Sequence, residues 1–184
     1  MNCPKAIQYR ESLRLVESLF SRLFYDAYRT RLCGGAEEPL YRPVSDCGED
    51  AVIYYREDFI SSALHEVAHW CIAGSARRKQ LDFGYWYQPD GRSSPQQREF
   101  EAVEVKPQAL ESLFSLAAQV PFSISSDNLS GETRDSNDFC RAVAEQRQGY
   151  CRDGLPSRAA AFYTALAEAF YGPSLSSLQH AEAC

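Results

Sequence analysis

The sequence predicts an α+β fold in one domain, a small mixed sheet packed by several helices. Three observations point there. Helical periodicity covers more of the chain than strand-like runs do. Those runs are short and do not alternate regularly with the helices. And 184 residues, 45% apolar and 24% charged, suffice for a single hydrophobic core. Aromatic residues are plentiful and no repeat or low-complexity tract appears, which argues against disorder.

Taken in order, residues 9–28 place Leu13, Val16, Phe20, Leu23, Phe24 and Ala27 at helical spacing and predict an amphipathic helix. Residues 29–49, with Gly34-Gly35, Pro39 and Pro43, read as a loop containing a short strand at Thr30–Cys33. Ala51–Tyr55 is a β-branched and aromatic run and predicts a strand. Over about 57–73, Ile60, Ala63, Leu64, Val67, Ala68, Cys71 and Ile72 recur at threes and fours. They predict a buried central helix, with Gly74 as a left-handed C-terminal cap. Residues 81–88 are aromatic-rich and strand-like, and Pro89-Asp90-Gly91 follows as a turn. Residues 95–106 and 107–119 read as helical stretches meeting at Pro107, either one kinked helix or two. Phe122–Ser125 is a candidate strand. Residues 136–149 and 157–171 are helical, the second ended by Gly172-Pro173, and a polar tail follows from about residue 174. The domain is expected to span residues 1–184.

A net charge of −6 suits a phosphate backbone poorly, so nucleic acid is not an expected partner. The local basic run Arg77-Arg78-Lys79 complements the C-terminal dipole of the helix before it, or offers a patch to an acidic partner. The seven cysteines are odd in number, irregularly spaced and free of C-x-x-C, which supports neither a zinc ribbon nor a full disulfide framework. Residues 1–14 lack the apolar core of a secretory signal and no run reaches membrane-spanning length, so the expected compartment is the cytoplasm.

The informative segment is His65-Glu66-Val67-Ala68-His69, which holds two of the three histidines. Residues i and i+4 lie one turn apart on one helix face, so both imidazoles can reach one metal ion. A third ligand must come from elsewhere. His180 lies in the polar tail, and Cys71 sits on the far side of the helix and reads as a core thiol. The later helix offers Glu104, beside the apolar stripe Phe100, Val103, Pro107, Leu110 and Phe114. A carboxylate on that inward face needs a proton, an ion pair or a metal. Glu104 is therefore the expected third ligand and Glu101 the reserve. Ile72 and Ser75 stand where the metzincins need glycine and a third histidine, which excludes that class. Two histidines and a glutamate suit a hydrolytic zinc centre, with Glu66 as general base activating water, in a peptidase or nuclease. They equally suit a non-haem iron oxygenase, with Glu66 orienting an imidazole.

The blocks Ala63–Gly74, Asp82–Tyr87, Pro89–Arg92, Phe100-Glu101 and Val103–Leu110, with Asp127-Asn128-Leu129, resemble the elongation factor P hydroxylase family. The resemblance implies a bacterial oxidoreductase that hydroxylates a lysine of elongation factor P already carrying a β-lysyl group. It further implies a 2-His-1-carboxylate metal site, at positions matching His65, His69 and Glu104, and a fold similar to a metal-dependent ribonuclease. The expected metal is Fe(II), with O2 as oxidant. The order of ligands differs from that of the common 2-oxoglutarate oxygenases, so the cosubstrate stays open. A cationic substrate side chain calls for acceptors, and Asp82, Tyr85, Tyr87 and Asp90 are the candidates for contacting it.

Overall fold

The computed structural model describes residues 4–85, 91–125 and 137–172, with side chains described from residue 7. The chain opens with helix α1 (Pro4–Tyr28), then strands β1 (Thr30–Ala36), β2 (Leu40–Arg42) and β3 (Ala51–Arg56). Helix α2 (Ile60–Ile72) carries the histidine motif, and two short 3-10 turns follow at Arg77–Lys79 and Leu81–Gly84. Helices α3 (Ser94–Ala117), α4 (Asn137–Asp153) and α5 (Ser157–Tyr171) complete the described chain.

The sheet runs β1-β3-β2, with β1 parallel and β2 antiparallel to β3, so it is small and mixed as expected. Strand β2, between Pro39 and Pro43, escapes sequence reading because three residues carry no usable periodicity. Gly34 in β1 lies against the Tyr55 ring, where a Cβ would come within 2.6 Å of the hydroxyl oxygen. The absence of a side chain there lets the two strands close over the tyrosine.

Helix α2 is the centre of the core. Ala63, Leu64, Val67, Ala68 and Trp70 are fully buried. Trp70 packs against Phe20, Phe24 and Tyr28 of α1, with ring centroids 4.9–5.2 Å apart. Cys71 is a buried free thiol, as its position on the helix requires, and burial pushes it up to about 12. The helix starts at Ile60, three residues later than expected, where the Tyr9 hydroxyl accepts the Ile60 N–H at 2.8 Å.

Three sequence expectations need correction, and one left open is decided. Gly74 is not a left-handed cap. Ala73 leaves α2 in an extended conformation, and arginines satisfy the end carbonyls instead. Arg158 Nη2 donates to the carbonyls of Trp70, Cys71 and Ala73, and Arg78 Nη1 to that of Ala73. Arg78 thus serves the helix end, the structural alternative foreseen for the basic run.

Residues 81–84 form a tight turn rather than the start of a strand, with φ of +50°, +56° and +74° at Asp82, Phe83 and Gly84. Its left-handed path puts Asp82 Oδ1 within 3.2 Å of the Tyr41 N–H and stacks Phe83 on Tyr41 at 4.2 Å. The two stretches meeting at Pro107 are one helix, the first of the two alternatives left open there. Helix α3 runs through it, held by packing against α2, α4 and α5. Finally, Phe122–Ser125 joins no sheet. The Gln108 side-chain amide takes the place of a neighbouring strand, accepting the Ser125 N–H at 3.1 Å and donating to the Ser125 carbonyl at 2.7 Å.

No described helix is long and apolar enough to cross a membrane.

Candidate metal centre

Helices α2 and α3 pack side by side, and each contributes a polar stripe to the seam. From α2 come His65 and His69, one turn apart, with Nε2 atoms separated by 3.1 Å. From α3 comes Glu104, only 3% exposed. Its Oε1 lies 3.1 Å from His69 Nε2 and its Oε2 lies 3.5 Å from His65 Nε2. One ligand atom from each residue falls within 4.8 Å of the others, a grouping that can hold a metal ion. The spacing fits the chemistry. Two ring nitrogens 3.1 Å apart, each about 2.1 Å from a common ion, subtend roughly 95°. That leaves the rest of the coordination sphere for the carboxylate and exchangeable ligands.

Further contacts fix these donors. Glu111, two turns beyond Glu104 on α3, accepts the Nδ1–H of His65 at 2.8 Å. A proton held on Nδ1 leaves Nε2 as the lone-pair donor facing Glu104. Gln108 lies between the two glutamates and donates to Glu104 Oε2 at 3.3 Å. Phe83 lies nearly parallel to the His69 ring, 6.4 Å away.

The electrostatics follow from burial and proximity. Burial pulls the His65 imidazolium down, but the charges of Glu104 and Glu111 outweigh it and hold the group up at about 10. Burial pushes Glu104 up, yet His69 and His65 draw it down to about 2. Without an ion, a proton on His65 therefore balances the buried carboxylate. Glu66, 9% exposed, is pushed up by burial and by the nearby Glu104 and Asp82, against the opposing pull of the two histidines.

The structure thus brings together His65, His69 and Glu104. Glu101 stands apart and accepts a hydrogen bond from Gln97 at 3.0 Å. Glu66 borders the cluster but hydrogen-bonds neither ring, so the imidazole-orienting contact considered for it belongs to Glu111. Asp82 is near enough to interact with His69 electrostatically, but its carboxylate also caps the Tyr41 N–H. Tyr85 lines a cleft of about 350 Å³ that shares His69 with the cluster. Tyr87, Asp90 and His180, like Asp127-Asn128-Leu129, lie outside the described residues.

Sequence reasoning overlooked Glu111 and Gln108. A signal for them exists. Gln97, Glu101, Glu104, Gln108, Glu111 and Ser115 recur at intervals of four and three, a polar stripe along one side of α3. All but Glu101 are buried.

An α+β protein presenting two imidazoles of one helix and a buried carboxylate of the next belongs, as a class, with those whose site is fit for one divalent metal ion. Comparison with known sequences makes the class specific. The elongation factor P hydroxylase family profile matches residues 19–180, and the chain belongs to that family. A Haemophilus influenzae protein named elongation factor P lysine hydroxylase is 50% identical over 154 residues, spanning 84% of this chain and 86% of the relative.

Proposed function

We propose that this chain is an oxidoreductase that hydroxylates a lysine of elongation factor P, the one carrying a β-lysyl group, using Fe(II) and O2. The observation that carries the reading is the convergence of His65, His69 and Glu104 in a chain half identical to a named elongation factor P lysine hydroxylase. His65, His69 and Glu104 would hold the ion. Fe(II) bound there supplies the oxygen activation that an unreactive C–H bond demands and that no side chain of the chain can perform.

The protein's own part is positioning. Glu111 keeps a proton on His65 Nδ1, so that Nε2 faces the ion. Gln108 holds the Glu104 carboxylate and ties it to the backbone of Ser125. Phe83, packed between Tyr41 and His69, keeps water from one side of the cluster. Glu66, raised toward its protonated form, can hold a proton beside the ligands. Asp82, with Tyr87 and Asp90, is the proposed contact of the cationic substrate side chain; Tyr85, whose ring already carries the Arg77 guanidinium at 4.1 Å, is left out of that set. The working compartment is the cytoplasm, the partner is the modified elongation factor, and neither nucleic acid nor membrane takes part.

The test is mass spectrometry of β-lysylated elongation factor P incubated with the anaerobically purified, Fe(II)-loaded protein. Admission of O2 should add the mass of one oxygen atom to the modified lysine, and Glu104→Ala should abolish the gain. An oxygen-independent cleavage product, lost on Glu66→Gln, would instead support the zinc hydrolase that the histidine motif alone allows.

A further inference from the structure

The cleft beside the ligands carries charge of the opposite sign to the ligand cluster. Its volume is about 350 Å³, at the small end of ligand sites. His69, Ile72, Tyr85 and Val103 line it together with two cations, Arg77 and Lys106. Among the described residues that line it, none is acidic, although the chain holds 25 acidic residues and a net charge of −6. Close to His69, and outside the cleft lining, are Glu104, Glu66 and Asp82. One imidazole thus belongs both to an acid-rich ligand cluster and to the lining of a cationic cleft.

Neither cation is ion-paired among the described residues. Arg77 Nη1 donates to the Phe83 carbonyl at 3.0 Å, and the guanidinium lies 4.1 Å from the centre of the Tyr85 ring. These contacts hold it in place without cancelling its charge, leaving donors for a planar anion. Lys106 has no hydrogen-bond or ion-pair partner among the described residues. An ammonium group entering here would meet two like charges, so this is not the path of the cationic substrate chain.

We propose that this cleft binds a small organic acid, its carboxylate held by Arg77 and Lys106 and the rest of the molecule lying toward His69. As a cosubstrate position the site rests on the hydroxylase reading above; as a carboxylate site it rests on the cleft alone. The size and the shared wall with a metal ligand favour a free acid over an acidic side chain of the partner protein.

The full chain, loaded with redox-silent Zn(II), is titrated calorimetrically with succinate and with ascorbate. Dimethyl succinate serves as the uncharged control and a Glu-rich peptide as the polypeptide source of carboxylate. Saturable one-to-one binding of an acid, and not of the ester, is expected. It should weaken about tenfold or more in Lys106→Gln and in Arg77→Gln. Lys79→Gln, a neighbouring cation outside the cleft, should leave it unchanged. Lys106 is exposed and has no hydrogen-bond or ion-pair partner among the described residues, so its variant should fold normally. Arg77→Lys guards against disturbance of the turn and should retain part of the affinity. No saturable binding of either acid, binding indifferent to both substitutions, or binding of the peptide alone would overturn the proposal. Iron, O2 and elongation factor P are all absent from this measurement, so it can fail while hydroxylation succeeds, and the reverse.

Discussion

Replacing Glu111 by alanine separates a coordinating role from a supporting one. Glu111 is 8% exposed and its Oε2 lies 2.8 Å from His65 Nδ1. It is not one of the three candidate ligands and would act on an ion through that ring. Loss of a hydrogen bond to a charged group costs about 1.5–3 kcal/mol. Removal of an outer partner from a ligating histidine typically weakens metal binding by about 10–100-fold, which is about 1.4–2.7 kcal/mol. The two routes agree. Glu111→Ala is therefore expected to lower metal affinity by one to two orders of magnitude without abolishing it. Glu111→Gln keeps an acceptor of the same shape but loses the charge, and should fall at the mild end.

The assay is competition of Co(II) or Zn(II) against a chromophoric chelator, with circular dichroism to confirm folding. Metal affinity within about twofold of the parent in a folded Glu111→Ala protein would refute the idea that this contact prepares His65. Equal loss in both variants would assign the effect to charge rather than to orientation.

Glu104→Ala should abolish measurable metal binding, whereas Glu101→Ala, whose carboxylate pairs with Gln97, should leave affinity within about twofold, read by the same titration. Metal uptake should strengthen as pH rises toward about 10, with close to one proton released per ion at neutral pH, because His65 is held up at about 10 and must give up its proton. The same two groups shape the metal-free fold. His65, raised from 6.5, stabilises it fully below 6.5 and loses that contribution as pH rises through about 10; Glu104, lowered from 4.5, contributes above 4.5 and loses it as pH falls through about 2. Thermal melts of the metal-free chain should therefore show this pair's full contribution between 4.5 and 6.5. Gly74→Ala should change stability by no more than about 0.5 kcal/mol, since a Cβ there meets nothing within 4 Å, while Gly34→Ala should cost about 1–3 kcal/mol against the Tyr55 ring, both measured by urea unfolding.

What the sequence made legible was what has a period. The spacing of Ile60, Ala63, Leu64, Val67 and Ala68 revealed the central helix and, with it, the shared face of His65 and His69. Glu104 was reachable because a carboxylate beside an apolar stripe has few stable explanations. The mistakes fall where the outcome depends on partners distant in sequence. Gly74 looked like a cap because glycine usually is one. Arg158, 85 positions after Ala73, takes that residue's carbonyl and makes the left-handed turn unnecessary. Phe122–Ser125 has strand-like residues, but its ladder partner is a glutamine side chain, which no propensity scale represents. Leu81–Gly84 has the aromatic content of a strand, yet the Asp82 contact with Tyr41 and the stacking of Phe83 favour three left-handed residues in a row. That costly backbone lies beside His69, a candidate metal ligand, and strain is often kept near functional sites.

The charges in the α2–α3 seam give a reason for an ion to be there. Glu104 and Glu111 are buried at 3% and 8% exposure, with Glu66 at 9% beside them, against two imidazoles. Buried carboxylates without compensation are costly. The metal-free protein compensates with protons, one on His65 and a rising tendency toward one on Glu66. A divalent ion supplies the missing charge where the lone pairs already converge, and the unfolded chain offers no such site. Binding must therefore stabilise the fold, by about 2.7 kcal/mol at a free ion concentration 100-fold above its dissociation constant. At about 2–4 °C per kcal/mol for a chain of this size, the melting temperature should rise by roughly 5–10 °C. Differential scanning fluorimetry with Mn(II), Co(II) and Zn(II) reads this directly, and Glu104→Ala should lose the shift. A melting temperature indifferent to every ion at neutral pH, or a shift that survives in Glu104→Ala, would mean that the seam is balanced by protons alone.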